Sequence, residues 1–455
     1  MSKMPTVFLG CLLALSVSGV DAHAADRTRK CGLGAAFHAG RRAALLAKLE
    51  DGVVVVRGLP PPREYVPFHQ DKTFWYLTGV ESPDAALVMD VKTKKQILFL
   101  PDANPMAEMW NGERWDTGDA WVKELTGFED IRSITALVPT LKEMTASTKI
   151  AWISMEPYVG LGSSSDQAEQ YNHDVEGDPL DGRLSREKAL KAALEKQFGV
   201  EVRDTQKVLG ELRRVKMPEE IEALRNASRA GAVAMTEAMR STRPGIGEWD
   251  LESLMTFIHR REGADGPAYE AIVGSGKNSL SLHYSACTRT MQAGDVVLID
   301  YAPEYDHYTS DITRSWPVDG KFTARMEEIY DVVLEAQLAG IASVKPGATF
   351  MTMESACRKV LKAHDMGKLM THGAGHYVGM EVHDVGSFMK PFEPGVVVTV
   401  EPGVYETASG IGVRIEDVVL VTADGCEVLS SGVPKDKKTV LELIASEGLL
   451  DREKH

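Results

Sequence analysis

The stretch Val296-Val-Leu-Ile-Asp300-Tyr-Ala-Pro-Glu-Tyr-Asp-His-Tyr-Thr-Ser-Asp311-Ile-Thr-Arg-Ser-Trp316 limits the possible folds more than any other part of the chain. Two apolar runs, 296–301 and 309–318, flank a turn region at Pro303–His307, a pattern that predicts an antiparallel hairpin. Folding about Tyr305–Asp306 sets Asp300 directly across from Asp311, with Cβ atoms about 4.5–5.5 Å apart on one face. Two carboxylates that close repel unless a proton or a cation neutralises them. Solvent-facing acids are the plain alternative. Because both strands are otherwise apolar, the pair reads as a place for metal.

Three further segments carry the same kind of residue. Thr371-His-Gly-Ala-Gly-His376-Tyr-Val-Gly-Met-Glu-Val-His383-Asp holds three histidines among glycines, where small residues let the backbone pass close to a ligand. Glu401 ends the strand-like run 396–401, just before Pro402-Gly403. In Gly412-Val-Arg-Ile-Glu416-Asp, Arg414 and Glu416 are two apart, which puts them on one face of a single strand over 412–421. Each of these alone reads as a solvated surface group. Several acids and a histidine in one region, all set in apolar or glycine-rich sequence, point to metal.

At 455 residues the chain is long enough for two or three domains. Its formal charge of −15 argues against a nucleic-acid partner held through phosphates. Lys3 precedes the apolar run 7–17, and Ala22-His23-Ala24 supplies the small residues of a cleavage site before Ala25. This predicts an export signal, with a periplasmic or secreted product. The run is too short to span a bilayer, so no membrane anchor is expected.

Strands at Val53–Arg57, Ala86–Asp90 and Gln96–Leu100 alternate with helical patterns at His38–Leu49, Asp119–Leu125 and Leu184–Gln197. They read as an α/β domain. The polar stretch 157–182 reads as an exposed, mobile loop. After a connecting helix or linker at 206–216, long helical patterns at 218–240, 248–262, 324–344 and 351–364 bracket the strand runs, as in an α+β domain. The division is therefore 1–24 signal, 25–205 first domain, 206–216 linker, 217–445 second domain and 446–455 tail.

These segments resemble the pita-bread metallohydrolases, and within them the aminopeptidase P/prolidase group. Asp300 and Asp311 match the two aspartates of the family hairpin. His376 lies in a segment similar to HG-x-x-H-x-x-G, Glu401 in one similar to T-V-E-P-G, and Glu416 in R-I-E-D. The resemblance implies that these five hold two divalent ions. Asp311 and Glu416 would be shared between the ions, and Glu401 would also shuttle protons. Two divalent ions would balance the four carboxylates. An oxygen-rich set with one imidazole suits Mn²⁺, with Co²⁺ or Zn²⁺ possible.

His283 and His383 match histidines that contact substrate, and Arg414 belongs to the same catalytic group. In the first half, Asp71–Gly79 and Glu108–Arg114 resemble the aminopeptidase P N-terminal domain, and Arg214–Ile221 its domain junction. The resemblance thus implies an α/β N-terminal domain and an α+β pita-bread catalytic domain. It also implies a proline-containing peptide substrate and a homo-oligomer.

The residues do not separate cleavage of an Xaa-Pro bond at a peptide N-terminus from cleavage of Xaa-Pro dipeptides. A metal-free binding module on the same fold is a third reading, disfavoured by the presence of all five ligands, four acids and one histidine. Gly373–Gly379 lacks GxGxxG spacing, and Ser185-Arg-Glu-Lys188 sits in a charged helix without companion motifs. Cys31, Cys287, Cys357 and Cys426 allow three pairings, with buried free thiols at least as plausible.

Overall fold

The computed structural model describes residues 29–63 and 65–454; the signal expected over 1–24 lies outside them. The first half is built on six strands: β1 (Val53–Arg57), β2 (Ala86–Asp90), β3 (Gln96–Leu100), β4 (Asp130–Ser133), β5 (Ile150–Ile153) and β6 (Glu201–Asp204). They order as β4-β3-β2-β1-β5-β6. The central strands pair antiparallel and the outer ones parallel.

Strand periodicity splits the apolar residues between two cores. Val53, Val55, Val88 and Phe99 face one layer. Val54, Val56, Leu87 and Leu98 face another, which also contains Leu224, Tyr308, Val378 and Val397 of the second half. One face of the first sheet is therefore buried against the second half of the chain.

The expected polar loop at 157–182 instead contains a helix, Ser165–Gly177, none of whose residues is buried. With no apolar stripe to bury, it carries no helical periodicity for a sequence reading to detect. The connecting segment folds as the helix Gln206–Arg214 and packs closely, with Arg213 and Arg214 buried.

The second half begins with the helix Pro218–Ser241, whose proline takes a first-turn position and whose Glu220 side chain accepts from the Met217 N–H at 2.8 Å. Its strands are β7 (Gly266–Pro267), β8 (Ile272–Ser275), β9 (Val296–Asp300), β10 (Pro303–Tyr305), β11 (Tyr308–Thr309), β12 (Thr313–Pro317), β13 (Val397–Val400), β14 (Gly403–Glu406), β15 (Ile411–Arg414), β16 (Asp417–Val421) and β17 (Cys426–Val428). Every strand pairing in this half is antiparallel. The helices Glu248–Arg261, Ala324–Ser343 and Phe350–Ala363 pack around these small sheets.

Two registers differ from the sequence expectation. Tyr305 pairs with Tyr308, so the hairpin turns on Asp306 and His307, both at positive φ (50° and 61°). This is the backbone that a two-residue hairpin connection requires. Asp300 consequently faces Thr313 rather than Asp311. The slip is two residues, which keeps both aspartates on one face. The run 412–421 is also not one strand. β15 pairs with β14 and β16 with β13, and Glu416 lies in the break between them, with its N–H donating to the Thr313 carbonyl at 3.0 Å.

Candidate metal centre

The breaks in the ladders are where the acids gather. Asp300 ends β9 and Asp311 sits between β11 and β12. Glu401 lies between β13 and β14, and Glu416 between β15 and β16. Each side chain leaves its strand where the hydrogen-bond ladder stops. Tyr269, which the sequence reading missed, joins the two aspartates: its Oη lies 2.6 Å from Asp300 Oδ1 and 2.8 Å from Asp311 Oδ1.

His376 is set by its own segment. Its N–H donates to Thr399 Oγ1 at 3.0 Å, and its Nδ1 lies 3.0 Å from the Tyr377 carbonyl. A carbonyl can only accept, so Nδ1 carries the proton and the Nε2 lone pair points the other way. Nε2 is 3.4 Å from both Asp311 Oδ2 and Glu401 Oε1. Ligand atoms of Asp311, His376 and Glu416 all lie within 4.8 Å of one another.

Behind the acids stands Arg414, buried. Its Nη2 donates to Asp300 Oδ2 at 2.6 Å, Nη1 to Tyr405 Oη at 2.8 Å and Nε to Thr313 Oγ1 at 3.0 Å. Thr313 in turn donates to Glu416 Oε2 at 2.6 Å. Arg414 and Glu416 thus meet through Thr313, and not as neighbours on one strand.

One guanidinium cannot balance four carboxylates. Burial, with Asp311, Glu401 and Asp300 adding to it, drives Glu416 well above the usual carboxylate range. Burial pushes Glu401 up to about 7, against His376 and Arg414. Burial and then Asp311 raise Asp300. Asp311 goes the other way: burial would raise it, but His376, Tyr269 and His383 together outweigh burial. Burial opposes the charge on His376, but Asp311 and Glu401 prevail and push it up to about 9. Crowded acids that can ionise together only with added positive charge, plus an imidazole whose Nε2 side faces them, are a donor set suited to divalent ions.

A cavity of about 140 Å³ opens onto this wall, lined by Tyr269, His283, Asp300, Asp311 and His383 among others. His283 is exposed at its rim. The His383 ring lies 4.3 Å from that of His376, and its Nδ1 donates to Asp166 Oδ1 at 3.2 Å. Asp166 comes from the first turn of the helix Ser165–Gly177, and Ser165 Oγ donates to the His383 carbonyl at 3.0 Å. The next residue, Asp384, is buried between Arg213 Nη2 (2.6 Å) and Lys216 Nζ (2.9 Å). The junction segment thereby fixes the backbone that carries His383. Cys31, Cys287, Cys357 and Cys426 are free thiols, and none lines this cavity.

Comparison with known proteins agrees with this geometry. Residues 222–423 match metallopeptidase family M24, and residues 38–152 match the aminopeptidase P N-terminal domain. The chain is 34% identical over 410 residues to the Xaa-Pro aminopeptidase of Haemophilus influenzae, covering 81% of this chain and 87% of that one. It is 31% identical over 447 residues to the Xaa-Pro aminopeptidase of Escherichia coli, covering 89% and 97%. The solved structure of E. coli aminopeptidase P with the inhibitor Pro-Leu superposes with a TM-score of 0.76 at 30% identity, covering 90% of this chain and 98% of that one. Fold and site together define a divalent-metal peptidase with a pita-bread catalytic half. The chain belongs to the aminopeptidase P group of the M24 metallopeptidases and is a metallo-exopeptidase. Among the described residues no helix is long and apolar enough to cross a membrane.

Proposed function

We propose that the chain is an Xaa-Pro aminopeptidase, removing the residue before a penultimate proline, with two divalent ions held by Asp300, Asp311, His376, Glu401 and Glu416. The observation that carries this reading is the convergence of four carboxylates and the Nε2 side of His376 beside a cavity whose lining includes Asp300 and Asp311. When bound, such ions polarise a carbonyl and supply hydroxide near neutral pH. Mn²⁺ suits the oxygen-rich set, and Co²⁺ or Zn²⁺ would also fit it.

The chain's own residues supply the rest. His283 and His383, on the cavity wall, would bind the peptide and stabilise charge developing on its carbonyl oxygen. A prolyl nitrogen bears no hydrogen, so it must be protonated as the bond breaks. Glu401, beside His376 Nε2 at 3.4 Å, is the carboxylate placed to take and give that proton. Arg414 orients Asp300.

The same reading takes residues 1–24 as a signal that exports the enzyme to the periplasm or beyond. It also takes 25–205 and 217–445 as the two domains, with 206–216 joining them and 446–455 as a tail. Homo-oligomerisation fits the solvent-facing Met106, Met109 and Trp110 of one short helix.

The experiment is to offer one purified sample both Xaa-Pro and Xaa-Pro-Yaa-Zaa, with and without a chelator. Cleavage of the longer peptide, lost on chelation and in Asp311→Ala, is the expected result. Cleavage of the dipeptide alone would make the enzyme a prolidase. Activity that survives both chelation and Asp311→Ala would overturn the metal reading.

A further inference from the structure

At the far end of the hairpin, away from Asp300 and Asp311, a second group of metal-binding side chains bridges the two halves of the chain. His69 and Glu81 flank the helix Lys72–Thr78 of the first half. Glu304 lies on β10, and His307 is the second turn residue of the hairpin. Ligand atoms of His69, Glu304 and His307 lie within 4.8 Å of one another. His69 Nε2 is 2.5 Å from Glu304 Oε1, and the other oxygen of Glu304 is held by Lys72 Nζ at 2.9 Å. His307 Nε2 pairs with Glu81 Oε1. The two imidazoles lie 4.2 Å apart, and His307 stacks on Trp75 at 4.2 Å.

Two observations mark this as more than an ion-pair cluster. First, each ring places Nε2 on a carboxylate and leaves a buried Nδ1 with no hydrogen-bond partner. Both side chains are more than nine-tenths buried. His307, with Nε2 on Glu81 and Nδ1 vacant, is in the state in which histidine binds transition metals, and at His69 an ion would take the place of the proton shared with Glu304. A buried nitrogen left unmatched is otherwise a cost to the fold.

Second, the charges do not balance. Glu304 and Glu381 share one ammonium, Lys72, at 2.9 and 3.4 Å, with Arg213 also acting on Glu381, and Glu81 faces His307. With both imidazoles neutral, one divalent ion would offset the excess. A cavity of about 370 Å³, lined by Glu81, Asp265 and Asp306 and by Lys30 and Arg260 among others, leads from solvent to both histidines.

We propose that His69, His307 and Glu304, with Glu81 behind His307, form a separate site for a divalent ion of the zinc class that ties the hairpin to the first half. Two imidazoles and a carboxylate suit Zn²⁺ or Co²⁺ better than the oxygen-preferring Mg²⁺ or Ca²⁺. The site is independent of the acid-rich centre and of its activity.

The test uses the full chain carrying Asp311→Ala and Glu416→Ala, loaded with Zn²⁺ and freed of loose metal. His307→Asn is the first added variant, because asparagine tolerates the positive φ of the turn; His69→Gln is the second. Metal analysis is expected to find about one fewer ion per chain in each added variant, in this background and in the otherwise unaltered chain. Zn²⁺ is also expected to raise the melting temperature of the Asp311→Ala/Glu416→Ala chain, and His307→Asn to abolish the rise. An ion count and a Zn²⁺-dependent melting shift unchanged by both histidine substitutions would overturn the proposal and leave an ion-pair cluster only.

Discussion

The guanidinium of Arg414 lies against Asp300, with Nη2 2.6 Å from Oδ2, and sets a permanent positive charge against the buried acids behind the cavity. Coulombic stabilisation by Asp300, Glu416 and Glu401 helps hold it charged despite its burial. Replacing it by alanine strands those acids. Breaking a buried pair in this way typically costs roughly 3–5 kcal/mol. Arg414→Ala is therefore expected to unfold at markedly lower urea in chelator. Divalent metal at a hundred times its Kd should return about 2.7 kcal/mol. Equal losses with and without metal would mean that Arg414 matters for packing rather than charge.

Two glycines in the His372–His376 segment should respond in opposite ways. A Cβ on Gly375 would stand 2.2 Å from the Thr399 carbonyl oxygen, on the strand that also holds the backbone of His376. A Cβ on Gly373 would meet nothing within 4 Å. Gly375→Ala is expected to lose about 1–3 kcal/mol by overpacking and to lower metal affinity by displacing His376. Gly373→Ala should stay within about 0.5 kcal/mol. Thermal melts and metal titrations of the two variants check this, and similar behaviour of the pair would count against the close approach of the two segments.

The hairpin shows what local sequence can and cannot encode. Alternation of apolar residues fixed the shared face of Asp300 and Asp311, because a two-residue slip preserves the face. The register itself depended on which two residues adopt positive φ, and Asp306-His307 is a weaker turn signal than Asn-Gly. Glu401 and His376 were legible because each sits beside a glycine- or proline-marked break in an apolar run, whereas Glu416 was legible only through its likeness to the R-I-E-D segment, since nothing in Val413–Val418 marks the break at which it lies.

Tyr269 and Asp166 were not legible. Tyr269 lies 31 and 42 residues from the aspartates it joins, and Asp166 lies 217 residues from His383. Asp166 also sits in a helix without an apolar stripe. Contacts of that kind are made by the packing of the two halves, and no periodicity announces them.

Asp166 gives a further prediction. Its exposed side chain holds His383 Nδ1, and that imidazole keeps the carboxyl well below the usual range. Asp166→Ala removes a partner that orients the ring without opening a core. Stability and metal content are expected to hold, while kcat/KM for a proline-containing peptide falls about tenfold, equivalent to about 1.4 kcal/mol. An unchanged kcat/KM would mean that Asp384, clamped by Arg213 and Lys216, positions His383 without help from Asp166.

Glu220 should set part of the pH dependence of stability, away from the metal centre. Burial pushes its carboxyl from 4.5 to about 7, partly offset by donation from Met217 N–H and Tyr308 Oη, each at 2.8 Å. An acid with a raised folded pKa keeps its proton in the folded chain after the unfolded chain has released it. Stability therefore falls as pH rises from about 4.5 to about 7, and levels off above. The full penalty is on the order of 3 kcal/mol at 1.36 kcal/mol per unit. Glu220→Gln cannot ionise and should flatten that segment of the profile. Urea melts at intervals between these limits compare the two slopes, and parallel profiles would show that Glu220 is already ionised in the folded chain at acid pH.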